Sequence, residues 1–226
     1  MTITYDPAID EYVVSGVGPT DIGLAQTTPT LARIRRYQGS PAYLLTRIDT
    51  PTGDGQILFF GGDGLGLNGG EGGAILSRLN TPTTITATAA TYTGAYRSVM
   101  HSDADGASFG TSNGSASLSA DFAAETVTGT ITGRTLGIFQ LSDVTLNLGQ
   151  IDQTVFSGTT SGGWDTTNTF NTPPSPAPTL TDLNATGTYE GLFVSADGGE
   201  AIGAVVIKAD IPVGAITEIG VFELAD

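Results

Sequence analysis

The chain has 226 residues, enough for one large β domain or two smaller ones and for a sizeable core. Charged residues are only 14%, against roughly 25% in ordinary globular domains, and 23 acidic against 8 basic residues leave a formal charge of −15. That field argues against nucleic acid and anionic membrane as partners, and the absence of cysteine removes disulfides, thiolate zinc sites and a cysteine nucleophile.

The first residues, MTITYDPAIDEY, lack the basic end and apolar centre of a signal peptide, and no apolar run approaches the ~20 residues of a membrane helix. The chain therefore contains no predicted transmembrane segment. With no lipobox cysteine it carries no lipid anchor as numbered, and the expectation is that any export signal was removed ahead of Met1.

Residues 2–5 (ITYD) and 12–17 (YVVSGV) read as two short strands joined by a turn at Asp6-Pro7. Residues 20–30 read as loop. Thr28-Pro29 has the form of a helix start, with Leu31, Ile34 and Tyr37 as apolar contacts of a short helix. Arg33, Arg35 and Arg36 on that segment read either as an anion-binding patch or as a solvated face that neutralises acidic neighbours. Residues 42–48 and 56–61 are predicted strands. Residues 61–73, GGDGLGLNGGEGG, read as a glycine loop; they lack the Lys-Ser/Thr of a phosphate cradle, and Asp63 and Glu71 leave only a weak calcium site open. Thr81-Pro82 is the predicted boundary. Residues 1–82 carry 8 acids and 5 bases, net −3, whereas residues 83–226 carry 15 acids and 3 bases, net −12.

Beyond the boundary the chain is strand after strand. Tyr92, Gly94 and Tyr96 alternate with Thr91, Thr93 and Ala95. In residues 115–133, Ala116, Leu118, Ala120 and Phe122 share one parity and Ser115, Ser117, Ser119 and Asp121 the other. After a short link at residues 123–125, Val127, Gly129 and Ile131 alternate with four threonines. A period of two with β-branched residues on the wet face predicts a hairpin with one dry face. Phe139 and Leu141 share a parity that switches to that of Val144, Leu146 and Leu148, so Ser142-Asp143 marks a bulge or a turn. Residues 154–158, 188–194, 202–208 and 216–224 complete about eight short strands, the pattern of a barrel or sandwich. The hexads TYTGAY (91–96) and TYEGLF (188–193) echo each other. The glycine between two same-face aromatics either leaves room for a ring from a neighbouring strand or permits a sharp coil.

At these residues a family resemblance enters. TYTGAY, GSASLSADFAAETVTGTITG, VFSGT, GTYEGLFVSADGGEAIGAVV and GVFEL, in that order, resemble the C-terminal β-barrel of transferrin-binding protein B and its relatives over residues 83–226. ITYDPAIDEYVVSG looks like the opening of that family's small β handle. The turn after Phe193 departs from the pattern, with Val194-Ser195-Ala196 where family barrels often carry Y-G-P-x. The resemblance implies a mostly β fold: a handle-like region at 1–82, then an eight-stranded antiparallel barrel at 83–226. It also implies a protein of the bacterial cell surface or extracellular space that acts by binding a protein or haem.

The chemistry-bearing residues fit a binding role rather than catalysis. His101 is the only histidine, so no multi-histidine metal site exists; a solvated loop histidine and a haem ligand are its two readings. Asp103-Ala104-Asp105-Gly106 opens like a calcium loop, but Gly114 stands where the closing glutamate is needed. Asp121 and Glu190 both fall on predicted polar faces, and a glycosidase would need them ~5–9 Å apart across one cleft. No G-x-S-x-G elbow sits between a strand and a helix. Trp164 and Phe170, in the long Pro-rich stretch GGWDTTNTFNTPPSP, read either as interface anchors or as packing over a barrel end. The candidate binding residues are thus His101, Trp164 and Phe170, with no catalytic or metal site and haem as the sole cofactor left open. The alternative role is a structural subunit of an extracellular assembly, joined by strand addition through the edges of residues 1–82.

Overall fold

The structure is a computed structural model. It describes residues 2–6, 11–15, 22–28, 34–39, 43–62, 72–80, 85–102, 108–136, 139–164, 166–168, 185–195, 197–211 and 214–226. Among them there is no helix.

The N-terminal strands are β1 (Thr2–Asp6), β2 (Glu11–Ser15), β3 (Ile22–Thr28), β4 (Ile34–Gly39), β5 (Tyr43–Asp49), β6 (Gly55–Gly62) and β7 (Gly72–Arg78). They pair in chain order as one seven-stranded antiparallel meander. Two expectations are corrected here. The segment read as loop contains β3, and the segment read as a short helix contains β4. In β4, Ile34 pairs with Ile48 and Tyr37 with Leu45. A segment flanked by partner strands on both edges gains ladder hydrogen bonds from each, and that outweighs a local Thr-Pro start signal. Residues 63–71, with Asp63 and Glu71, and the Thr81-Pro82 boundary lie outside the described residues.

The chain continues as β8 (Ala89–Ser102), β9 (Ser108–Asp121) and β10 (Thr126–Thr132). Two short strands, β11 (Thr135–Leu136) and β12 (Phe139–Leu141), precede β13 (Val144–Asp152) and β14 (Val155–Gly162). A further short strand, β15 (Thr166–Asn168), precedes β16 (Thr186–Val194), β17 (Glu200–Ile211) and β18 (Gly214–Ala225). Strands β10-β13-β14-β16-β17-β18-β8-β9 close into an eight-stranded antiparallel barrel, and β11-β12-β15 form a separate three-stranded sheet. The fold class expected from the sequence is the one observed.

The β9–β10 hairpin shows how alternation builds the wall. Ala120 pairs with Val127 and Ala116 with Ile131, and all four are buried with Leu118. The opposite parity faces out, where the Ser117 and Thr130 hydroxyls lie 2.9 Å apart. Glu125 takes φ 56° in the turn, and the Asp121 carboxylate accepts the Ala124 amide at 2.9 Å. The two echoed glycines serve different neighbours, and the first of the two readings holds at Gly191. A Cβ on Gly191 would stand 2.1 Å from the Phe156 ring, so this glycine seats a neighbour's aromatic; one on Gly94 would stand 2.0 Å from the Glu223 carbonyl, a close backbone approach.

The parity read for Leu148 is corrected. Val144 and Leu146 point inward as expected, but Leu148 is 71% exposed and Ile151 takes the inward place. The pairing of β13 slips on both sides, between Val127 and Gly129 on β10 and between Leu146 and Gln150 against β14. This bulge inverts the alternation in mid-strand. Tyr189 sits beneath it and donates its hydroxyl to the Asn147 carbonyl at 2.7 Å, satisfying an acceptor that the broken ladder releases.

The N-terminal sheet packs on the outside of the barrel. Ile48, Ile57 and Phe59 bury against Val194, Ile202 and Val221, outward-facing residues of β16, β17 and β18. Glu200 locks the contact by accepting the Thr52 amide at 2.9 Å and the Thr52 hydroxyl at 2.7 Å, and Arg78 donates to the Phe193 carbonyl at 2.5 Å.

Candidate binding surface

The two ends of the barrel differ. At one, the turn end, connections are short: residues 122–125, 153–154 and 195–199. Asp197 shapes the last of these. Its carboxylate accepts the Gly199 amide at 3.1 Å and the Ser195 hydroxyl at 2.9 Å, and these bonds, the backbone one foremost, lower its pKa. At the other, the loop end, the connections are residues 103–107, 133–143, 163–185 and 212–213, and they include the three-stranded sheet.

Arg134 organises the loop end. Gly133 takes φ 66°, which turns the chain after β10 so that the Arg134 side chain enters the barrel, where it is fully buried. Its guanidinium pairs with the Glu218 carboxylate of β18 and donates to the Ser142 carbonyl at 3.0 Å and to the Gly163 carbonyl. One side chain thus ties β18 to the connections before β13 and after β14. Tyr96 completes the group by donating to Glu218 at 2.8 Å. Burial, then the Glu218 charge, raises the Tyr96 pKa well above the ordinary phenol value, while Arg134 and Ser98 pull the other way.

Of the sequence-predicted residues, His101 lies near the end of β8. There it pairs with Thr217 on one side and with Ser108, across a bulge, on the other. It shares the outward parity of Val99 and is half-buried. Trp164 is 2% exposed and belongs to the barrel core with Leu141 and Val144, so it packs inside the loop end rather than standing on the surface. Phe170 lies outside the described residues. His101 and Trp164 therefore occupy the same end on opposite sides of the wall. Asp121 and Glu190 do not converge: β9 and β16 are four strand spacings apart around the barrel, about 19 Å along the wall. No group of three or more metal-ligating side chains occurs among the described residues.

Arg134 went unread in the sequence because period-two counting treats a charged residue as outward. Its signals were a glycine just past a strand end and its rarity, being one of three bases after residue 82.

The geometry defines a class: an all-β protein with a closed barrel, a second sheet packed on its wall, and one elaborated barrel end. Solved structures place the fold within that class. The chain is similar to transferrin-binding protein B from serogroup B Neisseria meningitidis, with TM-score 0.58 and 14% identity over 99% of this chain and 41% of that one. It is also similar to a mutant of transferrin-binding protein B from Haemophilus parasuis, with TM-score 0.52 and 9% identity over 100% of this chain and 43% of that one. The chain spans about two fifths of the length of these proteins. The fold is thus that of transferrin-binding protein B-like barrels. No family model and no curated protein matches the sequence.

Proposed function

We propose that this chain is an exported bacterial binding protein without catalytic activity, with residues 1–82 as a handle and residues 83–226 as a barrel that presents its loop end to a protein ligand. The contrast between the barrel ends carries this reading. Short turns occupy one end, whereas the other carries a three-stranded sheet on a base held by Arg134. Binding residues concentrate on loops that a rigid scaffold positions. The similarity to proteins named for transferrin binding supports a protein ligand at the cell surface, with haem as a second candidate.

The test compares the intact chain with a variant in which residues 169–183 are replaced by a short Gly-Ser link. Both are measured against immobilised transferrin and against haemin, with circular dichroism as the folding control. Binding of either ligand that disappears in the folded variant supports the reading. Binding that survives the replacement, or no binding of either ligand, overturns it.

A second reading, assembly by strand addition, is favoured by β7. This strand, GGAILSR, pairs only with β6 among the described strands, has no proline or lysine to blunt its edge, and exposes Ile75. Concentration-dependent self-association that Ile75→Lys abolishes supports it; a monomer at high concentration removes it.

A further inference from the structure

On the outer face of the barrel, across β13, β14, β16 and β17 and reaching the loop-end start of β16 at Thr186, lies a shallow groove of about 600 Å³. Its lining includes Asn147, Thr159, Ser161, Thr186, Thr188 and Lys208. The bulge builds it. Where the β13–β14 ladder is interrupted, the Asn147 carbonyl is taken by Tyr189 and its side-chain amide is left to engage the neighbouring strand. That amide donates to the Thr159 hydroxyl at 3.2 Å and accepts the Ser161 hydroxyl at 3.1 Å, so three polar side chains are held before any ligand arrives. Register then aligns Ser161 with Thr186 and Thr186 with Lys208, extending the row across two more strands. Val206, half-buried on the outer face of β17, adds an apolar surface to the lining.

Lys208 is the only lysine in a chain with 23 acids. It is exposed and makes no ion pair among the described residues, although Asp210 follows two places along the same strand face. An unpaired cation at the end of a pre-set hydroxyl row suits a ligand rich in hydroxyls with one acidic group. Neutral hydroxyls match the Asn, Ser and Thr array, C–H surface matches Val206, and a carboxylate matches Lys208. The charge of −15 repels a polyanion and tolerates a single acid.

We infer that this wall groove is a saccharide site selective for a sugar bearing one carboxylate. It lies on the outer wall, beside rather than over the mouth of the barrel, and is built from strand residues rather than loops. The test is a titration of the ¹⁵N-labelled full chain with methyl β-glucuronide and, in parallel, with methyl β-glucoside, following backbone amide shifts. The glucuronide is expected to move the amides of Thr159, Ser161, Thr186 and Lys208 and to bind up to about fivefold more tightly than the glucoside, the range of an exposed ion pair. Lys208→Met should abolish that preference, so that the two glycosides bind alike. Asn147→Ala should weaken both ligands; Thr188→Val on the exposed rim should do the same without touching the bulge. Shifts confined to other surfaces, no shifts with either glycoside, or an acid preference that survives Lys208→Met overturns the inference.

Discussion

The two halves of the barrel interior are built from different chemistry. The turn-end half is aromatic: the Phe193 ring lies 5.5 Å from Tyr92, 5.0 Å from Phe122 and 4.9 Å from Phe156, and Phe156 stacks on Phe222 at 6.3 Å. The loop-end half mixes apolar side chains such as Leu141, Val144 and Trp164 with buried polar groups: the Arg134–Glu218 pair at its centre, and the Ser112 hydroxyl, Thr160 hydroxyl, Arg134 Nε and Trp164 indole N–H, which have no hydrogen-bond partner among the described residues. An unsatisfied buried polar group costs about 1–3 kcal/mol, whereas aromatic packing gains both area and ring–ring attraction. Stability therefore concentrates at the turn end, where the N-terminal sheet is also anchored, and is given up at the end proposed to bind. Low local stability is what a surface that must adapt to a partner requires.

The largest test of this division is Phe193→Ala. Phe193 is the hub of three ring contacts, and its removal should lower stability by about 3–5 kcal/mol in urea melts. A loss under 1 kcal/mol would mean that the aromatic half does not dominate.

The loop-end half answers to a double-mutant cycle. Glu218→Leu alone strands a buried guanidinium and should destabilise by about 3 kcal/mol or more, and Arg134→Met alone strands a carboxylate with similar effect. The double variant should recover most of that stability, because replacing both charges removes the desolvation penalty along with the attraction. It should still loosen the backbone at Ser142 and Gly163, since the donors to those two carbonyls are gone, and amide hydrogen exchange there should rise. A double variant as unstable as either single one would show that the pair is a net stabiliser, not a positioning device.

Next in size is a pH effect. Burial raises Tyr96 well above its ordinary pKa of 10, and it pushes Tyr189 up to about 12. A raised folded-state pKa means that the contribution is fully present below pH 10 and is lost as pH rises toward the folded value. Above pH 10 the unfolded chain releases a proton that the folded chain keeps, so stability falls by about 1.4 kcal/mol per pH unit for Tyr96 alone. Phenolate absorbance should then appear together with unfolding. Titration of Tyr96 in the intact fold would contradict its enclosure.

The sequence was most legible where local pattern and tertiary demand agree. Alternation in residues 115–133 specified an inward Ala116, Leu118, Val127 and Ile131 because one face meets core and the other water along the whole hairpin. It was least legible where a feature belongs to a neighbour. Gly133 and Arg134 look like a surface turn until Glu218, 84 positions away, supplies a partner. Strands β3 and β4 carry the residues of strands, but Thr28-Pro29 resembles a helix start and only the adjoining strands overrule it. Trp164 sits in a stretch rich in Gly, Pro and Thr, where composition predicts surface, yet the mouth of a barrel needs a large side chain to fill it.

The smallest predicted effect falls on the bulge. Read by parity alone, Leu148 belongs to the core, and Leu148→Thr should then cost several kcal/mol as a buried methyl pair is lost and a hydroxyl is introduced. In the structure the slips in the β10 and β14 pairings turn that side chain into solvent, so the same substitution should change stability by no more than about 0.5 kcal/mol. Ile151→Thr, two residues past the slip and inward-facing, should cost the larger amount instead. Equal and large losses at both positions would mean that the alternation runs unbroken through β13. In that case Tyr189 would have no released carbonyl to satisfy, and the groove on the outer wall would lose the bulge that builds it.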